Sequence, residues 1–340
     1  MTKNRVYVPI LKCKKGEQKA LLNLDKNVKD MVIPLIEIPF SSTTTKKENI
    51  GDIITSFWPD HRFFFYFMPE WYDNDLEQFS SFASAKVTTL CKKYKGIPVI
   101  DLSLAYNLNN WEFLNNNEIA IRLRNNEFGD IENILNPLFN GTLERSKTHL
   151  ILDLQYISQD DIFAKTAVLK AIFSDLDKAS DFASIIIAST SFPRPNQLTS
   201  IENQQIYRFK RIETDIFALS LKLANRFNFN YVYSDYGPSD ISDIPFVIGM
   251  SPNFKIKYTA FEDYLYIKGI SLKKGGLDIA NVQSLAKILV ENKDFSGSNY
   301  SWGDKEIYRL ATGESVNPGN LTTWVSYSMN HHITFISHQI

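Results

Sequence analysis

The chain has 340 residues, 37 basic against 38 acidic side chains for a net charge of −1, and an apolar fraction of 44 % that includes 24 Phe and 16 Tyr. This composition fills a large core and excludes extended disorder, and the near-zero charge gives no bulk pull toward nucleic acid or an anionic membrane surface. Two cysteines, Cys13 and Cys91, are too few for a secreted disulfide framework and stand at no metal-ligand spacing, so both are expected to be reduced thiols in a cytoplasmic protein. The opening apolar stretch is too short for a signal peptide, and no later segment approaches the ~18 apolar residues of a membrane span.

In chain order, RVYVPILK (5–12) is the first apolar run, and GEQKALLNLDKNVKD (16–30) then places Ala20, Leu21, Leu24 and Val28 at helical spacing. MVIPLIEIP (31–39) predicts a second strand, followed by an irregular stretch over 41–58 and a third strand at RFFFYFMPE (62–70). LEQFSSFASAKVTTLCKKY (76–94) sets Phe79, Phe82, Ala83, Val87 and Leu90 on one helical face before the strand IPVIDLS (97–103). A short helix near 111–114 precedes EIAIRLR (118–124), and HLILDLQ (149–155) is followed by a helix over 161–179. SIIIASTS (184–191), one long helix over Ile206–Phe227 and NYVYSDYG (230–237) complete the series. Strands alternating with helices imply a parallel sheet with right-handed crossovers, and eight such units close into a (β/α)8, TIM-barrel-like α/β fold over 1–240. An open doubly wound sheet is the competing architecture, but no glycine-rich turn follows the first strand. Beyond Asp240 the pattern changes. FKIKYTAFEDYLYIKGISL (254–272) alternates as an antiparallel hairpin, 273–292 reads as a turn and helix, and TTWVSYSMNHHITFISH (322–338) reads as a last strand, so 241–340 is expected to be an α+β elaboration.

Barrel enzymes place their sites at the carboxyl ends of the strands. Residues two apart on a strand share a face. Lys12 follows Val8 and Ile10, Glu37 follows Leu35, Asp101 follows Val99, Arg122 and Arg124 follow Ala120, Asp153 follows Ile151, and Asp235 follows Tyr231 and Tyr233. With those faces inward, one mouth collects four carboxylates, a lysine and two arginines. Such a cluster could bind a divalent metal, hold a phosphate between arginines, or divide acid and base roles among carboxylates. The plainer alternative is a set of charges that only neutralise one another. Aspartate is depleted in strands, which singles out Asp101, Asp153 and Asp235. Glu70, after Met-Pro, reads equally well as a helix-start residue, and Ser189 and Ser191 need a histidine base before either becomes a nucleophile. On a last strand His331 and His332 face opposite ways, so only one of them enters a given site. On a helix Arg208, Lys210 and Arg211 of IYRFKR spread over different faces, which favours a solvated surface over a nucleic-acid strip.

YVPILKCKKGEQKALLNL at the start, IPLIEIP, PVIDLS, IRLR, LILDL and SDYGP (234–238) along the barrel, and FSGSNYSWGDKEIYRLA (295–311) with W…NHHIT (324–334) at the end together resemble the Beta protein family of phages and bacteria. The resemblance runs in the same order over nearly the whole chain. It implies a barrel-like fold, and some members of the family look like parts of mobile or antiphage-defence loci. It supplies no reaction, but it directs attention to Lys12, Glu37, Asp101, Asp153, Asp235, Asp304 and His332 as positions within its motifs.

Two functions of different class follow. The first is a hydrolase of a phosphorylated or nucleotide-like ligand, metal-dependent through Mg²⁺ or Mn²⁺. In it Asp101, Asp153 and Asp235 hold metal or position water, His332 acts as acid or base, and Lys12, Glu37, Arg122, Arg124 and Asp304 bind the ligand. The second is a non-catalytic component of a defence or regulatory system that binds a protein partner from the same locus.

Overall fold

The eight apolar runs become the eight strands of a closed parallel barrel in the computed structural model, which describes residues 6–39, 49–71, 87–106, 117–140, 143–176, 179–241, 253–271 and 277–340. The strands are β1 (Tyr7–Lys12), β2 (Leu35–Ile38), β3 (Phe63–Phe67), β4 (Gly96–Asp101), β5 (Ile119–Arg124), β6 (Thr148–Tyr156), β7 (Ser184–Thr190) and, after a β8 (Ile206–Lys210) that is not part of the barrel, β9 (Tyr231–Asp235). Each pairs with the next, and β9 closes on β1 through Tyr7↔Tyr233 and Val8↔Ser234. These strands are buried along almost their whole length, as a parallel sheet covered by helices outside and side chains inside requires. That is why they read as continuous apolar runs rather than as alternation.

The helices whose full extent is described are α1 (Lys15–Leu22), α2 (Lys26–Lys29), α3 (Ile50–Phe57), α4 (Leu102–Ala105), α5 (Ile131–Phe139), α6 (Ile162–Asp175), α7 (Ile212–Phe227), α8 (Ile279–Val290), α9 (Trp302–Ala311) and α10 (Leu321–Gln339). Residues 87–94 are also helical, with Val87 and Leu90 buried. Phe79, Phe82 and Ala83 of the helix predicted over 76–94, the short helix near 111–114 and the stretch 41–48 lie outside the described residues. No helix among the described residues is long and apolar enough to cross a membrane.

The chain divides into two compact units. The first, Met1–Cys13 with Met31–Thr190 and Ile212–Asp235, is the barrel with its helices. The second joins Lys14–Asp30, Ser191–Arg211 and Tyr236–Ile340. Its sheet has the order β10 (Asn253–Thr259), β11 (Asp263–Ser271), β8, antiparallel throughout. Phe254, Ile256 and Tyr258 on one face of β10 pack with Val282 and Leu285 of α8, Ile307 of α9 and Trp324 of α10. Tyr264 and Tyr266 on the other face pack with Phe192 and Ile201. Asn330 Nδ2 donates to the Ala20 carbonyl at 3.0 Å, tying α1 to α10 across 310 residues of chain.

Two predicted elements are corrected. The helix over Ile206–Phe227 begins only at Ile212, because Ile206–Lys210 alternates apolar and charged residues and pairs with β11 through Tyr207↔Tyr266 and Phe209↔Tyr264. The last strand is instead α10. Its start is set by Asn320, whose Oδ1 accepts from Thr323 N at 3.0 Å within a capping box. Every residue from Ser326 to Thr334 is buried. A helix hidden on all sides has no polar face, so aromatic and β-branched composition pointed to a strand. Asn320→Ala is expected to lower stability by about 1 kcal/mol, the usual cost of a lost N-cap, in urea denaturation followed by circular dichroism.

Candidate functional site in the barrel interior

The strand registers decide which side chains meet. Lys12 pairs with Glu37, Glu37 with Tyr66, Asp101 with Arg122, and Arg124 with Asp153. Register partners on parallel strands point to the same side, so these seven residues share one face. Arg122 of β5 reaches Glu37 of β2, a contact that only the barrel interior allows.

At the centre Arg122 donates from Nη1 to Glu37 Oε1 at 2.8 Å, from Nη2 to Asp153 Oδ2 at 2.9 Å and from Nε to the same oxygen at 3.1 Å. Exposure is 2 % for Arg122, 7 % for Glu37 and 0 % for Asp153, so these charges depend on one another rather than on water. Asp153 Oδ1 accepts from the backbone N–H of Gln155 at 3.0 Å. Gln155 has φ +58°, and the ladder to β7 shifts register between Asp153 and Tyr156; this local bulge turns the amide back onto the carboxylate.

Two residues nearer the carboxyl end of β5, Arg124 Nη2 donates to Tyr66 OH at 2.8 Å, and that hydroxyl donates to Asp101 Oδ2 at 3.3 Å. Asp101 Oδ1 accepts from Ser103 Oγ at 2.9 Å and caps α4 by accepting from Leu104 N at 3.1 Å. Burial raises the Tyr66 pKa above its usual value, the nearby arginines opposing, so the phenol keeps its proton. The guanidinium carbons of Arg122 and Arg124 lie 5.1 and 5.7 Å from its ring centroid.

Asp235 does not join this group. It pairs with Pro9 and Ser189, on the face where Tyr231 and Tyr233 meet Phe217 of α7 at centroid distances of 5.0 and 4.9 Å. That is the helix-covered outer face, and it is Ser234 that shares the inner one. Tyr7 OH and Tyr233 OH donate to the Asp235 carboxylate at 2.5 and 2.9 Å. Glu70 is exposed in a 3₁₀ turn, Pro69–Trp71.

Asp304 and His332 belong to the second unit. There Asp304 accepts from Ser301 Oγ at 2.6 Å and Tyr258 OH at 2.7 Å, and its Oδ2 lies 2.8 Å from His331 Nδ1. His331 Nε2 meets the Thr259 carbonyl at 2.8 Å, and the imidazole stacks on Tyr258 with centroids 3.8 Å apart. His332 Nδ1 shares a hydrogen bond of 2.7 Å with Thr259 Oγ1. Both histidines stand on a helix rather than on a last strand, and both are buried, His331 against Asp304 and Tyr258 and His332 against Thr259 and Tyr264.

Among the described residues no three His, Cys, Asp or Glu side chains are placed to hold a metal ion. The interior acids are engaged instead by a guanidinium, a phenol or backbone amides, so they do not form the ligand set expected for Mg²⁺ or Mn²⁺. Tyr66 and Gln155 are the members that residue reading missed. Tyr66 lies inside an aromatic run, and its only signal is a hydroxyl at the same strand depth as Glu37.

The sequence model of the Beta protein family matches residues 7–338, which takes in every strand of the barrel and all but the end of α10. The chain belongs to the Beta protein family. A comparison with curated proteins finds no match. In this family member, the motifs that carried the resemblance fall on β1 with the following α1, on β2, β4, β5, β6 and β9, and on the α9–α10 pair that holds Asp304 and His331.

Proposed function

We propose that the carboxyl end of the barrel interior is an enzyme site that hydrolyses a phosphorylated or nucleotide-like ligand. The observation that supports this reading is how unevenly the polar groups are used. Arg122 donates from all three of its nitrogens, whereas Arg124 makes one side-chain hydrogen bond and Glu37 Oε2 has no partner among the described residues. Arg124 then supplies the fork that takes phosphate oxygens, and Lys12 adds positive charge beside Glu37. Glu37, held through Oε1 by Arg122, takes a proton from the attacking water on Oε2 as the new O–P bond forms. The ester P–O bond breaks with its electron pair going to the leaving oxygen, which then gains a proton. Asp101 and Asp153 are positioning residues in this scheme, acting through Tyr66 and Arg122.

Phosphate release from a panel of phosphate esters and nucleotides tests the reading. Glu37→Gln should lower kcat about 10²–10⁴-fold, the usual range for loss of a general base, while Arg124→Gln should act mainly on KM. Unchanged turnover in both variants, or no release from any compound by the wild type, would refute it. A second reading, a non-catalytic component of a defence or regulatory system, draws support from Phe163 on α6, which is 88 % exposed. Phe163→Ser abolishing capture of one stoichiometric partner, with phosphate release absent, would favour that reading.

A further inference from the structure

We propose that Lys257, in the second unit, is a nucleophilic amine that forms an imine with an anionic aldehyde or ketone. This site is independent of the barrel interior. β10 alternates, so Phe254, Ile256 and Tyr258 face the helices while Lys255 and Lys257 share the opposite face. Lys255 stands directly across from Lys268 of β11, a like-charge pair that costs stability in a sheet. Lys268 turns its Nζ aside to the Ile201 carbonyl at 2.9 Å, and Lys255 is exposed.

Lys257 lies across from Tyr266, with Nζ 4.6 Å from the centroid of the Phe192 ring and donating to the Pro238 carbonyl at 2.9 Å. Among the described residues no carboxylate stands within ion-pair distance of it. Burial, with the Lys255 charge adding to it, lowers the pKa of Lys257 to about 7, while Glu17 and Asp240 pull the other way. A lysine set in apolar surroundings beside a second cation is the arrangement that frees an amine lone pair at neutral pH. In the resting amine one N–H donates to the Pro238 carbonyl, which turns the lone pair toward an incoming carbonyl carbon until both N–H protons are given up. The C–N bond forms, the carbonyl C–O bond then breaks, and the oxygen leaves as water with the two protons that the amine carried. Lys255 supplies the charge that selects a carbonyl compound bearing a carboxylate or phosphate.

Pyridoxal 5′-phosphate, trapped by borohydride on the full chain and located by peptide mass spectrometry, tests the proposal. At neutral pH Lys257 should be modified at least about 10-fold faster than the exposed lysines, since their amines are almost wholly protonated there. Its rate should rise through a midpoint near 7. Lys255→Gln should move that midpoint upward and slow the neutral-pH reaction, and pyridoxal without its phosphate should react more slowly than the phosphorylated probe. Lys257→Met should remove the fast label and leave the others. Modification of Lys257 no faster than that of the exposed lysines would overturn the proposal. Equal rates for the two probes would overturn its anionic specificity.

Discussion

Arg122→Met is expected to lower the unfolding free energy by about 3–5 kcal/mol, read as a shift of the urea midpoint at constant m-value. Glu37 and Asp153 are both buried, and Arg122 is the cation that each contacts at 2.8 and 2.9 Å. Without it, two buried carboxylates lose the guanidinium that contacts both of them, and removing one partner of a buried charge network is far costlier than replacing the whole network. Replacing all three together, as Arg122→Met with Glu37→Leu and Asp153→Leu, should therefore recover most of the loss. The comparison separates two roles. If the single variant is as stable as wild type, the three charges do not compensate one another as a buried network. If the triple variant folds and the single one does not, Arg122 and Asp153 serve as a scaffold for Glu37, and their loss cannot be read as loss of a catalytic group.

The second large effect is expected at Gly303, in the first turn of α9. A Cβ built there would strike the backbone carbonyl oxygen of Tyr327 in α10 and lie 3.0 and 3.1 Å from that residue's C and Cα atoms. Backbone cannot rotate away as a side chain does, so the helices must separate. The same turn holds Gly303 N against Asn330 Oδ1 at 2.9 Å and Asp304 against His331 at 2.8 Å, and separation strains both contacts. Gly303→Ala should cost about 2–3 kcal/mol, and the opening free energy read from amide exchange in α10 should fall by a similar amount. Gly129→Ala, whose added Cβ meets nothing within 4 Å, is the matched control and should be nearly silent. Equal stability of the two variants would show that α9 and α10 can part without loss.

Both predictions bear on what could be read before any fold was known. The barrel was legible because parallel strands buried on both faces must be continuous apolar runs, and the eight runs of this chain are its eight barrel strands. The convergence of Lys12, Glu37, Asp101, Arg122, Arg124 and Asp153 on one face was legible from parity, since each polar residue at a strand end continues one two-residue alternation. Parity cannot say which face is inside when both are apolar. That choice was made by α7, whose Phe217 stacks on Tyr231 and meets Tyr233 edge to face, and so sets Asp235 on the outer face with Tyr7.

Other features depended on partners distant in the chain. Ile206–Lys210 is a strand because β11 hydrogen-bonds it, and α10 is a helix buried on all sides because α1, α9 and β10 surround it. Tyr66 looked like one more aromatic in a core strand until Arg124 and Asp101 were seen on its hydroxyl. Local pattern thus determined the alternation of elements and the residue types at their ends, because propensity and burial act over a few neighbouring positions. Only the tertiary structure decided which face turned inward, which acid met which base, and how far burial lowers the Lys257 amine, because those depend on charges and apolar surface brought together from distant parts of the chain.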